Sequence, residues 1–186
     1  MPERAGETRS AGSTLFLCGD VMLGRGIDQI LPHPGDPALR EPYVSSASTY
    51  VELAEAASGP IPRSVEYDYV WGDVLDALRR VDPAVRIINL ETSITDSADF
   101  APKGIHYKMH PANIRVLTVA GIDCCVLANN HVLDWGQAGL LQTLRTLKQA
   151  GIRVAGAGRD AEQAAAPASM PLGGQARVLV FAFGAR

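Results

Sequence analysis

Four side chains able to hold a cation or move a proton stand at the ends of three apolar runs. Thr14–Gly19 stops at Asp20, Val85–Leu90 stops at Glu91, and Cys125–Ala128 stops at Asn129, Asn130 and His131, with Asp134 and Trp135 just behind. Such groups are costly to bury without partners. If the three runs are neighbouring parallel strands, Asp20, Glu91, Asn130 and His131 gather at the carboxyl-terminal edge of a sheet, where open α/β sheets bind ligands. Each acid also has a plainer role open to it: a carboxylate after a strand caps a helix, and Glu91 suits a structural ion pair. Asn89, two residues before Glu91, shares its strand face. Neutral histidine is a metal ligand and the commonest acid or base near neutral pH. Asp134, three residues on from His131, is spaced to orient that imidazole.

Two further segments carry polar groups. Arg25, in GDVMLGRG, can face an anionic substrate group, although a lone arginine is more often simply solvated; the GRG is too short for a phosphate-binding fingerprint. The loop KGIHYKMHP presents His106, Tyr107, Lys108 and His110. Tyr107 and Lys108 are candidates for gripping a carboxylate or phosphate, His106 is a weaker second catalytic candidate, and His110 suits a helix cap. The glycines of GAGRD, Gly156–Asp160, allow anion binding at a strand-to-helix turn but lack nucleotide-motif spacing.

The elements that must position these residues alternate. Strands are expected at Thr14–Cys18, Val85–Leu90, Ile122–Ala128, Ile152–Ala155 and Ala176–Phe183. Helices are expected at Tyr69–Val81, from Pro111 to about Ala120, at Gly136–Ala150 with a Leu140, Leu141, Leu144, Leu147 stripe, and at Arg159–Ala166. A short helix ends at Pro32. Residues 32–65, rich in proline, glycine and serine, read as a long surface excursion with a weak helical patch at Tyr50–Ala57. Alternation of this kind means βαβ units and a mostly parallel sheet.

The chain has 186 residues, 47% of them apolar and 20% charged, which suits one globular domain. A net charge of −3 gives no reason to expect nucleic acid or an anionic membrane as partner. The three cysteines, Cys18, Cys124 and Cys125, lie in apolar runs and read as small buried hydrophobes in a reducing compartment. No stretch is long and apolar enough to span a bilayer. Residues 1–12 are polar, without the apolar core of a signal peptide. The expectation is a cytoplasmic protein with a loose tail over 1–12 and a domain over 13–186, incomplete at its C-terminal end, since a strand falls beside the last residue.

With GDVMLGRG, NLETSIT and LANNHVLDWG in this order, followed by GL..TL..L...GI...GAG, the chain resembles the CapA (poly-γ-glutamate capsule biosynthesis) family, a branch of the calcineurin-like metallophosphatase fold. The resemblance runs from about Thr14 to Phe183. It implies an αββα sandwich and one or two divalent ions, with Asp20 as first metal carboxylate, Glu91 as the bridging acid, Asn130 as the asparagine ligand and His131 as the catalytic histidine. Oxygen and nitrogen donors suit Mn, Fe, Zn, Mg or Ca. The chain departs from the pattern at Met22, where the parent fold has the histidine of Asp-x-His, and neither the later histidine motifs nor the membrane anchor of capsule-type members falls within these residues. The resemblance implies a metal-dependent enzyme acting on a peptide or small anionic substrate, either by epimerisation at Cα, as in the lasso-peptide epimerases, or by phosphoester hydrolysis. A non-catalytic subunit of capsule synthesis is the alternative of a different class.

Overall fold

A computed structural model describes residues 12–184. The expected tail lies outside the described residues except for Gly12. The strands in chain order are β1 Leu15–Val21, β2 Val85–Leu90, β3 Ser93–Ile94, β4 Lys108–Met109, β5 Cys124–Val126, β6 Arg153–Ala155, β7 Ala168–Pro171 and β8 Arg177–Val180. The helices are α1 Gly26–Ile30, α2 Ser48–Ser58, α3 Val74–Val81, α4 Arg115–Thr118, α5 Gly136–Gln149 and α6 Ala161–Ala165. The fold is mixed α/β around a parallel sheet of order β1-β2-β5-β6.

β2 is a near-continuous apolar run because both its faces are covered. Ile88 and Leu90 pack with Leu75 and Leu78 of α3, Val116 and Leu117 of α4, and Leu147 of α5. Val85 and Ile87 face the other way, against Ala168 and Met170 of β7 and Val178 and Val180 of β8. β1 ends later than its apolar run suggests. Its register slips between Cys18 and Asp20, so that Asp20 lies opposite Asn89; a bulge of this kind re-aims the side chains beside it.

Several expectations are corrected. The last apolar run is not a fifth strand of the parallel sheet: β8 pairs antiparallel with β7 in a separate hairpin on the sheet's second face. The helix expected over Tyr69–Val81 breaks at Gly72 (φ 50°) into a 3-10 turn, Tyr69–Trp71, and α3. Of the leucine stripe on α5, Leu147 is fully buried and Leu144 packs against the core, but the other buried positions are Gly139, Thr143 and Thr146. Small residues let α5 approach β3, where Thr143 Oγ1 accepts from the Ile94 N–H at 2.9 Å. Cys124 and Cys125 are buried, and burial pushes the Cys124 thiol up to about 11 and the Cys125 thiol higher still. Cys18, by contrast, is exposed.

The proline-rich excursion is tightly moored. Asp28, 3% exposed, accepts from the Gly35 N–H at 2.8 Å, the His110 N–H at 2.9 Å and Asn113 Nδ2 at 2.8 Å. Asn113, fully buried, in turn bonds both the N–H and the C=O of His33. Farther on, Pro37–Ala47 forms a hairpin-like loop closed by Leu39 N–H to Ser45 O (2.8 Å) and Ala47 N–H to Pro37 O (2.7 Å). Among the described residues no helix is long and apolar enough to cross a membrane.

Candidate functional site

The parallel register of β1, β2 and β5 brings their carboxyl ends together, and amide side chains bind those ends laterally. Asn89 Nδ2 donates to Asp20 Oδ1 at 2.6 Å, and Asn89 Oδ1 accepts from Asn129 Nδ2 at 3.0 Å. Asn129 also donates to the Leu90 carbonyl, and its Oδ1 accepts the His131 N–H at 3.0 Å. The Asn129 amide thus ties its own loop to the end of β2, and Asn89 carries the link on to Asp20 of β1. The adjacent Asn130 is exposed, and its side chain makes no hydrogen bond among the described residues.

Glu91 lies against Asp20. Burial, followed by the repulsion of the Asp20 carboxylate, pushes the Glu91 carboxyl above the ordinary glutamate range, while His131 pulls it down. Glu91 Oε1 is 3.9 Å from His131 Nε2. On the far side of the ring, His131 Nδ1 bonds Asp134 Oδ2 at 2.7 Å. With Nδ1 engaged by Asp134, Nε2 is the ring nitrogen turned toward Glu91. Asp134, with no exposed side-chain surface, also accepts the Tyr107 N–H at 2.7 Å and pairs with Lys103 Nζ. It is therefore a buried anchor for the imidazole and for both loops around it.

Tyr107 stacks on the His131 ring, with centroids 3.9 Å apart and planes at 21°. Arg25 lies beyond Tyr107, its Nε 2.6 Å from Glu41 Oε1, and it does not stand free in solvent. Lys108 is half-buried over the Trp135 ring, and burial lowers its ammonium pKa. His106 is delivered elsewhere. It is 4% exposed, packed edge-on against Phe100, and bonded through Nε2 to the Ala101 carbonyl at 2.7 Å. An open cleft of about 530 Å³ beside His131 is lined by Asn130, Lys103, Ile105, Tyr107, Tyr50 and the segment Glu41–Val44. His106 does not line it. A larger cleft of about 800 Å³ lies against α5, β6 and β7 and touches none of these residues.

Residues that the sequence left without a role thus belong to this site. Asn129 has the strand-alternation signal: in extended chain it faces the opposite way from Asn130, toward Asn89. Tyr50 comes from the helical patch of the excursion, found as α2, whereas Glu41 lies in its aperiodic part, which gives no signal. In GAGRD, Gly156 (φ 86°) is required because a Cβ would meet the Ala128 Cβ at 2.6 Å, so that glycine serves packing.

Two opposed carboxylates and an unengaged amide are hard oxygen donors of the kind that Mg, Mn or Ca prefers. Among the described residues no group of three or more His, Cys, Asp or Glu side chains forms a ready cation cage. Asp20 and Glu91 offer an ion two neighbouring carboxylates, whereas no contact among the described residues places the exposed Asn130 side chain beside them.

Residues 14–186 match the family described as bacterial capsule synthesis protein PGA_cap. The chain is 48% identical over 168 residues, 90% of its length and 44% of the relative's, to a probable polyglutamine synthesis accessory protein of Mycobacterium tuberculosis (strain CDC 1551 / Oshkosh). It is 24% identical over 149 residues to the capsule biosynthesis protein CapA of Bacillus anthracis, covering 79% of this chain and 29% of that protein. It is 26% identical over 142 residues to the PGA biosynthesis protein CapA of Bacillus subtilis (strain 168), covering 75% and 29%. The chain thus spans less than half the length of these curated relatives. It belongs to the PGA_cap family of bacterial capsule synthesis proteins.

Proposed function

We propose that this chain carries a cation-assisted acid–base centre that acts on a peptide-like substrate in polyglutamate synthesis. One observation carries the reading: the Glu91 carboxyl, raised by burial and by Asp20, lies 3.9 Å from the nitrogen of an imidazole that Asp134 braces from behind. Opposed acids beside an oriented base are what a site for charge transfer requires and what a packing site avoids. The relatives' names, which speak of polyglutamine synthesis and PGA biosynthesis, support a peptide-like substrate.

Asp20 and Glu91 would hold the divalent ion, and Asn130 would join them by turning its exposed side chain inward; when bound, the ion polarises a carbonyl, carboxylate or phosphoryl oxygen. His131 takes or returns a proton at Nε2, and Asp134 stabilises the imidazolium that results. Lys103, at the cleft wall, holds the Asn130 carbonyl at 2.8 Å and keeps the loop beside the base.

Hydrolytic or transfer chemistry with one imidazole fits this geometry better than two-base epimerisation, because His106 is packed beneath Phe100 and away from the cleft. Incubating the chain with γ-linked glutamate peptides and Mn in D₂O separates the reactions. Cleavage or transfer without Cα deuterium is expected, and deuterium at Cα would make epimerisation the reaction instead. His131→Ala abolishes turnover of a folded protein on this reading. A second reading, a non-catalytic assembly subunit, is favoured by the word accessory in the mycobacterial relative's name. Retained peptide binding without turnover in wild type and His131→Ala alike would select it.

A further inference from the structure

The excursion and the base are joined by a continuous stack of side chains. Glu41, near the tip of the hairpin-like loop, spends both carboxylate oxygens: Oε1 on Arg25 Nε at 2.6 Å and Oε2 on the Tyr50 hydroxyl at 2.5 Å. The Arg25 guanidinium carbon is 4.8 Å from the Tyr50 ring centroid and 4.6 Å from that of Tyr107. Tyr107 then lies face-on against His131. The ion pair is well covered, with side-chain exposures of 18% for Arg25 and 8% for Glu41.

The backbone is strained to make this arrangement. Arg25 has φ 50°, in the left-handed region that non-glycine residues avoid. Such a conformation persists where the surroundings over-determine it, and it concentrates at functional sites. The preceding Gly24 is just as constrained: a Cβ there would be 2.8 Å from the Lys108 carbonyl oxygen, so the β1–α1 turn is pressed directly onto the strand that follows Tyr107.

We propose that Arg25, clamped by Glu41, is a positioning residue for His131. Its planar cation presses the Tyr107 ring onto the imidazole and so fixes the plane in which Nε2 faces Glu91. Asp134 alone fixes one end of the ring and leaves it free to rock about the Nδ1 bond; the stacked Tyr107 face removes that freedom. The Pro37–Ala47 loop thereby becomes part of the site: displacing it releases Glu41, then Arg25, then the stack. This inference rests on His131 being the base, yet its test reads ring geometry and is independent of turnover.

The test is proton NMR of the whole chain, with wild type and variants compared at one fixed pH. The His131 ring signals are assigned by their loss in His131→Gln. In wild type they are shifted upfield by the Tyr107 face and show cross-peaks to the Tyr107 ring protons. Glu41→Ala and Arg25→Leu lose both signatures. Arg25→Lys keeps the charge but not the plane and loses most of the upfield shift, while Glu41→Gln, which can still hydrogen-bond, keeps part of it. If Arg25→Leu fails to fold, Glu41→Gln and Arg25→Lys carry the test, with thermal midpoints to certify them. Unchanged His131 shifts and cross-peaks in the folded variants would overturn the proposal. Loss of peptide turnover in His131→Ala with the stack intact in wild type would uphold both it and the functional reading. An intact, Glu41-dependent stack in a protein without turnover would refute only the latter.

Discussion

Two carboxylate centres in this chain, the buried Asp28 and the partly exposed Glu91, behave in opposite ways. Asp28 is surrounded by donors, with two backbone N–H groups and one amide N–H all within 2.9 Å. Glu91 faces another acid and an imidazole that reaches no nearer than 3.9 Å. The first arrangement is what folding favours, a charge fully repaid in hydrogen bonds. The second is what folding avoids unless something else is to bind there. Burial alone therefore does not mark a functional acid; the mismatch between the charge and its partners does.

The comparison breaks most visibly on substitution. Asp28→Ala strands three donors and unmoors the excursion, and it should cost roughly 3 kcal/mol or more in urea unfolding. A loss below about 1 kcal/mol would mean that the buried network is not what secures the excursion. His131→Ala should cost less, about 1–2 kcal/mol, because Asp134 retains the Tyr107 N–H and Lys103.

Glu91→Gln should go the other way. A carboxyl raised in the folded state is a stabilising partner only while protonated: its contribution is full below the unfolded glutamate value and is lost as pH rises through the higher folded value. Removing the charge should thus raise stability at neutral pH, on the order of 1 kcal/mol, and leave it nearly unchanged near pH 4. Thermal midpoints at the two pH values read this directly, and a neutral-pH loss would contradict the unmet-charge account. At the small end, Arg79→Ala removes an exposed ion pair with Asp76 and should change stability by less than about 0.5 kcal/mol.

The legibility of the sequence follows the same division. β2 was readable because a strand covered on both faces must be apolar throughout, and the strand-end acids and His131 stood out because they interrupt such runs. The β7–β8 hairpin was not, since a short apolar run does not say whether its neighbour is parallel. Asn129 and Asn130 could not be assigned to holding and to exposure until the partner strand supplied Asn89 across from them. Glu41 was beyond reach: nothing in a proline-rich stretch announces that one acid near its tip will close on Arg25, sixteen residues earlier.

The central claim is that Asp20 and Glu91 form an unmet demand for a cation at the strand ends. Calorimetric titration of the chain with Mn, alongside a folded Asp20→Asn, Glu91→Gln double variant, tests it most directly. The account predicts saturable binding by wild type and at least a tenfold weaker affinity in the variant, a loss of about 1.4 kcal/mol. Equal affinity in both proteins, or no binding by wild type, would contradict it.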